Sequence, residues 1–235
     1  MGKKKDKNAW AKTKLKAMWI EWRGFLLIVM VMFSFRSALA DWNDVPSGSM
    51  KPTILQGDRV FVNKLAYDLK IPFTLKRIAK WADPDVGDIV VFFGKKDGTR
   101  LVKRVIGKPG DTIEIRDHKL YLNGEAVDYT KVDGAQFGDL SLDFPVDHAF
   151  YNERLGDVDH IMMHQVGSNF GGNMKKTTVP EDSYFVMGDH RDNSYDSRFW
   201  GFIGRERIVG KANTVVFSLN PDNYYIPRNR WLVSL

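Results

Sequence analysis

The chain has 235 residues with 43% hydrophobic and 27% charged content, near globular averages, which excludes wholesale disorder. Of 35 basic residues, seven lysines (Lys3, Lys4, Lys5, Lys7, Lys12, Lys14 and Lys16) fall in the first 16 positions against Asp6 alone, and the remaining 28 are matched by 28 acidic residues. The net charge of +6 is thus a tail rather than a basic face, which argues against nucleic-acid binding, and the absence of cysteine excludes disulfides, thiolate metal sites and a cysteine nucleophile.

After the basic tail, residues 1–18, comes the apolar run Gly24–Phe35, with Glu21 and Arg23 before it and Arg36 after it. Twelve helical residues span about 18 Å, short of a hydrocarbon core of roughly 30 Å. Extension from Trp19 to Trp42 gives a single transmembrane helix over 19–42 with a tryptophan near each interface. The lysine tail then stays cytoplasmic, and residues 43–235 form an exported domain. Ser37-Ala-Leu-Ala40 equally matches the cleavage site of a secretory signal. Both readings export the domain; they differ on whether it stays tethered.

Beyond residue 42 the chain reads as mostly β. Gly57-Asp58, Gly87-Asp88 and Gly110-Asp111 supply turn chemistry before the strand-like runs Val60–Val62, Ile89–Phe93 and Thr112–Ile115. Further strands are expected at Leu101–Ile106, Lys119–Leu122, Ser183–Met187 and Ile208–Phe217, with short helices at Lys64–Leu69 and Lys76–Trp81. Residues 124–178 are rich in Gly, Asp, Asn and His, the texture of an inserted subdomain or long loop system, placed at about 117–180.

Ser47-Gly-Ser-Met50 lies between Pro46 and Pro52, and a serine in such a loop is by itself a weak signal for a nucleophile. His160-Ile-Met-Met-His164 has i, i+4 spacing but lacks the glutamate of a hydrolytic zinc motif, and reads as a surface pair on a helix face. His190 is available for a Ser-His-Asp triad, and that alternative stays open. Lysine offers another base. In Leu101-Val-Lys-Arg-Val-Ile106, period-two alternation places Lys103 on one face with Leu101 and Val105, while a lysine snorkelling at a strand edge remains the bland account. Apolar neighbours disfavour the charged form, and a fall of some 2–3 units from about 10.4 yields a usable neutral amine. Gly188-Asp-His-Arg-Asp-Asn-Ser-Tyr-Asp-Ser-Arg198, set between apolar strands, suits a buried network of carboxylates and guanidinium groups.

In chain order, Pro46–Thr53, Gly57–Lys64, Lys103–Asp111 and Gly188–Arg198 resemble the motifs of bacterial signal peptidase I, over most of residues 41–218. The resemblance implies a mostly-β catalytic domain with a smaller inserted one behind a retained transmembrane helix. It implies a Ser/Lys dyad, with Ser49 as nucleophile and Lys103 as general base. Ser47 and the Ser49 backbone N–H match the oxyanion donors, Ser194 the serine that orients the lysine, and Asp196 with Arg198 a supporting ion pair. No metal or cofactor is expected. The implied enzyme cleaves preprotein signal peptides after an Ala-x-Ala motif at the outer face of the bacterial inner membrane. Phospholipid and, in proximity, the protein translocation machinery are its expected partners. One position departs: the family usually has asparagine where this chain has His190.

Overall fold

The computed structural model describes residues 3–95, 98–137, 147–221, 224 and 226–235. Helix α1 runs without a break from Lys3 to Leu39. Lys, Ala, Leu and Met recur along it and no proline interrupts it, so the basic tail and the apolar run share one helix.

The expected helix through Trp42 is corrected here. The backbone becomes extended at Ala40, and strand β1 (Ala40–Asp44) pairs antiparallel with β2 (Asp58–Asn63), Trp42 opposite Phe61. That ladder satisfies backbone groups which a longer helix would have satisfied internally. Among the described residues no helix is long and apolar enough to cross a membrane.

A curled nine-stranded sheet organises the rest. Its main path starts at β1 and β2 and continues through β16 (Ile208–Asn220), β5 (Ile89–Phe93) and β6 (Arg100–Gly107). It ends at β14 (Ser183–Met187) and β15 (Ile203–Gly204), while β17 (Ile226–Pro227) and β18 (Val233–Ser234) also pair with β16. A second sheet joins β13 (Met174–Thr178), β7 (Thr112–Arg116), β8 (Lys119–Leu122) and β9 (Glu125–Ala126). A third joins β10 (Asp128–Val132), β11 (His148–Leu155) and β12 (Val158–Gln165). Part of the segment expected as an insertion, residues 138–146, lies outside the described residues.

The Gly-Asp turns share one geometry. Each glycine has φ near +90°, and each aspartate accepts the N–H three residues before it: Leu55 for Asp58, Asp85 for Asp88 and Lys108 for Asp111, at 2.8–3.1 Å. The strands that follow have apolar residues on both faces where both are covered. Along β5, Ile89 and Val91 enter a core with Met50, Ile54 and Val60, while Val90 and Phe92 enter another with Val105, Val186 and Ile208.

Two short helices and one histidine placement are also corrected. Lys64–Leu69 yields only a 3-10 turn, Lys64–Ala66, followed by β3 (Asp68–Lys70), and Lys76–Trp81 forms β4 (Arg77–Lys80), paired with β3. The hairpin lets Lys70 and Arg77 both reach the fully buried Asp68, which Arg205 also contacts at 2.9 Å. His160 and His164 lie on β12, where i, i+4 residues share a strand face, and His160 is buried rather than superficial.

Removing the carboxylate beneath three cations should be severe. Asp68→Ala is expected to lose about 3–5 kcal/mol, because Lys70 and Arg205 stay buried without their partner. The urea midpoint measures it, and an unchanged midpoint would refute the account.

Candidate active site

The loop after β1 carries Ser47, Gly48 and Ser49, and it is pressed against the segment after β14. The Ser49 carbonyl accepts the His190 N–H at 3.1 Å. A Cβ on Gly188 would stand 2.3 Å from that carbonyl oxygen and 2.4 Å from Ser194 Oγ, so only glycine lets the two segments approach this closely.

Strand β6 brings Lys103 beneath the loop. Its Nζ lies 2.5 Å from Ser49 Oγ and also donates to the Val102 carbonyl at 3.1 Å. Both side chains are buried, Ser49 at 8% and Lys103 at 4% exposure. Burial pushes the lysine down to about 8 against the opposing pull of Asp196 and Asp189, and Arg198 lowers it further. At that value about one amine in ten is neutral at pH 7. Ser47 is exposed, with its Oγ 3.4 Å from Ser49 Oγ.

The other expected residues surround this pair. Asp196 and Arg198 form a two-pronged ion pair at 2.8 and 2.9 Å. Asp196 also accepts the Gly188 N–H at 3.0 Å, and Arg198 reaches the carbonyls of Arg191 and Ser194. The pair therefore holds both ends of the 188–198 turn. Ser194 is fully buried, but its Oγ has no hydrogen-bond partner, so the expected bond to Lys103 is not formed. The hydroxyl is instead enclosed beside Gly188.

Sequence reasoning anticipated an ionic network here but missed most of its members. Asp189 takes both Nε and Nη2 of Arg104, at 2.9 and 2.7 Å, and the Thr53 hydroxyl at 2.6 Å. Burial alone would raise this carboxyl, yet Arg104 holds it below the usual range. Arg191 grips the buried Glu153 with two nitrogens, Tyr129 donates to the same carboxylate at 2.7 Å, and His160 Nε2 stands 3.2 Å away. Arg104 had been visible only as a second cation on its strand, and Glu153 and His160 come from β11 and β12. Nothing local in the sequence linked them to residues 188–198. Among the described residues no cluster suited to a metal ion is present.

Two sheet edges flank the site. Among the described residues β1 pairs with β2 alone, and β14 covers β6 only from Arg104 onward, leaving 100–103 free on that side. Arg100 spans the gap, bonding Asp41 Oδ2 at 2.8 Å and Asn43 Oδ1 at 2.7 Å.

A serine hydroxyl against a dry amine, beside open strand edges able to take an extended chain, is the furniture of a serine endopeptidase. A family model described as signal peptidase, peptidase S26, matches residues 18–217, and the chain belongs to that family, whose substrates are preprotein signal peptides. It is 35% identical over 208 residues to a signal peptidase I of Pseudomonas aeruginosa, covering 83% of this chain and 71% of the relative. The signal peptidase I of Aquifex aeolicus is 34% identical over 223 residues, covering 83% and 82% of the two chains. A crystal structure of a signal peptidase I from Enterococcus faecalis aligns at 30% identity with a TM-score of 0.34, over 55% of this chain and 96% of that one.

The lysine leaves a signature in stability. It releases its proton near pH 8 when folded and near 10.5 when unfolded, so the unfolded state holds more protons between these values and stability rises with pH across them. The full rise is roughly 3 kcal/mol. Lys103→Met is expected to abolish it while leaving the melting temperature at pH 7 unchanged or higher. A variant with the wild-type pH dependence would place the titration elsewhere.

Proposed function

We propose that the protein is a membrane-bound signal peptidase I that cleaves preproteins after an Ala-x-Ala motif by a Ser49/Lys103 dyad. The observation that carries this reading is the 2.5 Å approach of a largely desolvated lysine to a serine hydroxyl in a chain of this family. Lys103 takes the Ser49 proton as the hydroxyl attacks the scissile carbonyl, and later delivers it to the leaving amine. The Ser49 N–H and the Ser47 hydroxyl donate to the oxyanion. Asp196 and Arg198 support the site by fixing the turn that closes over the lysine. Ser194 orients the lysine in this reading through a small rotation of its unpartnered hydroxyl once substrate fills the cleft.

The precursor adds as an extended strand between the open edges at Ala40–Asp44 and Arg100–Lys103, its small side chains entering shallow apolar pockets. Filling the cleft expels water, which further favours the neutral amine and strengthens the oxyanion donors.

Helix α1 is proposed as the retained membrane anchor, with its basic end cytoplasmic and the catalytic domain on the extracytoplasmic side of the bacterial inner membrane, near the protein translocation machinery. Support comes from the exposed residues Trp19, Ile20, Phe25, Leu27, Ile28 and Met30, which a bilayer would cover. Arg23 would reach toward headgroups. Residues 43–235 are proposed as the catalytic domain, with the insertion at about 117–180.

Four measurements test this reading. Ser49→Ala should abolish cleavage of an Ala-x-Ala precursor, and retained turnover would end the proposal. Ser47→Ala should lower kcat by about a hundredfold or more with little change in KM, the usual loss for one oxyanion donor. In wild type, kcat/KM should climb about tenfold per pH unit below pH 8 and level off above it, as the base loses its proton; a profile flat from pH 6 to 9 would point to a different base. Removing residues 1–39 should leave cleavage of a soluble peptide intact while abolishing retention on phospholipid vesicles.

A further inference from the structure

The hairpin of β3 and β4 exposes an apolar tip that the proposed chemistry does not use. Ile71, Phe73, Leu75, Ile78 and Trp81 are all exposed, Phe73 at 73%. Between residues 69 and 82 the chain has four basic residues, Lys70, Lys76, Arg77 and Lys80, and no acidic one. The turn itself is well bonded: the Ile71 N–H donates to the Lys76 carbonyl at 2.9 Å, and the Thr74 N–H to the Ile71 carbonyl at 3.0 Å. Phe73 has φ +63°, a left-handed conformation that costs an aromatic residue energy. A fixed turn thus holds the ring outward, at a cost in both strain and exposed apolar surface.

Two hydrogen bonds tie this unit to the end of α1. The Phe73 N–H donates to Ser37 Oγ at 2.7 Å, and Lys64 Nζ, on the 3-10 turn before β3, donates to the Ser37 carbonyl at 2.8 Å. Ser37 lies two residues beyond the apolar run Gly24–Phe35, so the tip is held at the level where that run ends. Aromatic and aliphatic side chains among lysines, with no carboxylate to repel anionic lipid, are the composition of a surface seated in a bilayer interface. Pairing with a second copy through the same hairpin would instead set like charges against each other.

We propose that the β3–β4 hairpin is a second membrane contact: Ile71, Phe73 and Leu75 enter the extracytoplasmic leaflet beside α1, and Lys76 and Lys80 meet anionic phospholipid headgroups. This rests on the reading of α1 as the anchor. A single helix leaves the domain free to tilt about its end, whereas two contacts remove that freedom. The setting passes to the site over a short path, because β1 begins directly after α1 and leads into the loop that carries Ser47 and Ser49. The hairpin therefore fixes how the Ser49–Lys103 pair stands relative to the bilayer. It favours a precursor embedded in the same membrane and leaves the chemistry on a soluble peptide untouched.

The chain has no cysteine, so single cysteines carrying a nitroxide report their depth without background. The full chain is reconstituted in vesicles of phosphatidylethanolamine and phosphatidylglycerol with the label at Ile28→Cys on α1, Phe73→Cys on the hairpin, or the exposed Glu125→Cys on β9. Relaxation by oxygen should exceed relaxation by a water-soluble nickel chelate at positions 28 and 73, and the order should reverse at 125. Ile78→Cys supplies a second hairpin site if Phe73→Cys does not fold. Phe73→Ser should slow cleavage of a vesicle-embedded precursor by about tenfold while kcat on a soluble Ala-x-Ala peptide stays within about twofold. Lys76→Glu with Lys80→Glu should slow the embedded reaction in anionic vesicles and not in purely zwitterionic ones. A label at 73 that meets the nickel chelate, or one shielded from both reagents by protein, would overturn the hairpin contact, as would equal losses on the two substrates. The label at 28 separates the two readings: water around it defeats the anchor, while lipid around it beside a water-exposed 73 defeats the hairpin contact alone.

Discussion

One amine kept from water sets the terms for the rest of this molecule. Lys103 lies 2.5 Å from Ser49 Oγ and is almost wholly enclosed, and enclosure is what brings its proton affinity down toward neutral pH. An ammonium group in this position is destabilising, so the surrounding fold has to hold it there against the gain from rehydration. The continuous apolar strands on either side do this. β5 and β14 bury side chains on both faces, and β6 pairs with β5 along Arg100–Arg104 and with β14 along Arg104–Gly107. A less completely covered strand would let the lysine swing out to solvent.

Enclosing an amine also requires a lid, and the lid here is ionic. Asp189 with Arg104, Glu153 with Arg191, and Asp196 with Arg198 tie residues 188–198 to β6, to β11 and to the turn itself. Each carboxylate is buried and takes two guanidinium nitrogens, the arrangement that best compensates lost hydration. Such pairs add little net stability compared with apolar packing, but their geometry is narrow. They hold Gly188 so close to Ser49 that a Cβ there would stand 2.3 Å from the Ser49 carbonyl oxygen.

The polar closure leaves open edges where function needs them. Among the described residues β1 and the first half of β6 each lack a neighbouring strand on one side, and Arg100 bridges them. In the proposed function those edges receive the precursor, and α1 keeps them close to the lipid from which the precursor emerges.

Much of this was legible in the sequence wherever the governing interaction was local. Ile89–Phe93, Lys119–Leu122 and Ser183–Met187 are strands with the bounds their apolar pattern gave, and the three Gly-Asp turns form because glycine φ and an aspartate oxygen act within four residues. The motifs around Ser49, Lys103 and Gly188–Arg198 pointed to one site. What the sequence could not determine were contacts between distant segments. Arg77 became a strand residue through Asp68 and Arg205, His160 was drawn inward by Glu153 and Asp189, and Trp42 left the helix for the edge of a sheet. Each outcome depends on which charges and backbone groups meet after the sheet curls. That is a long-range choice, and a local periodicity carries no record of it.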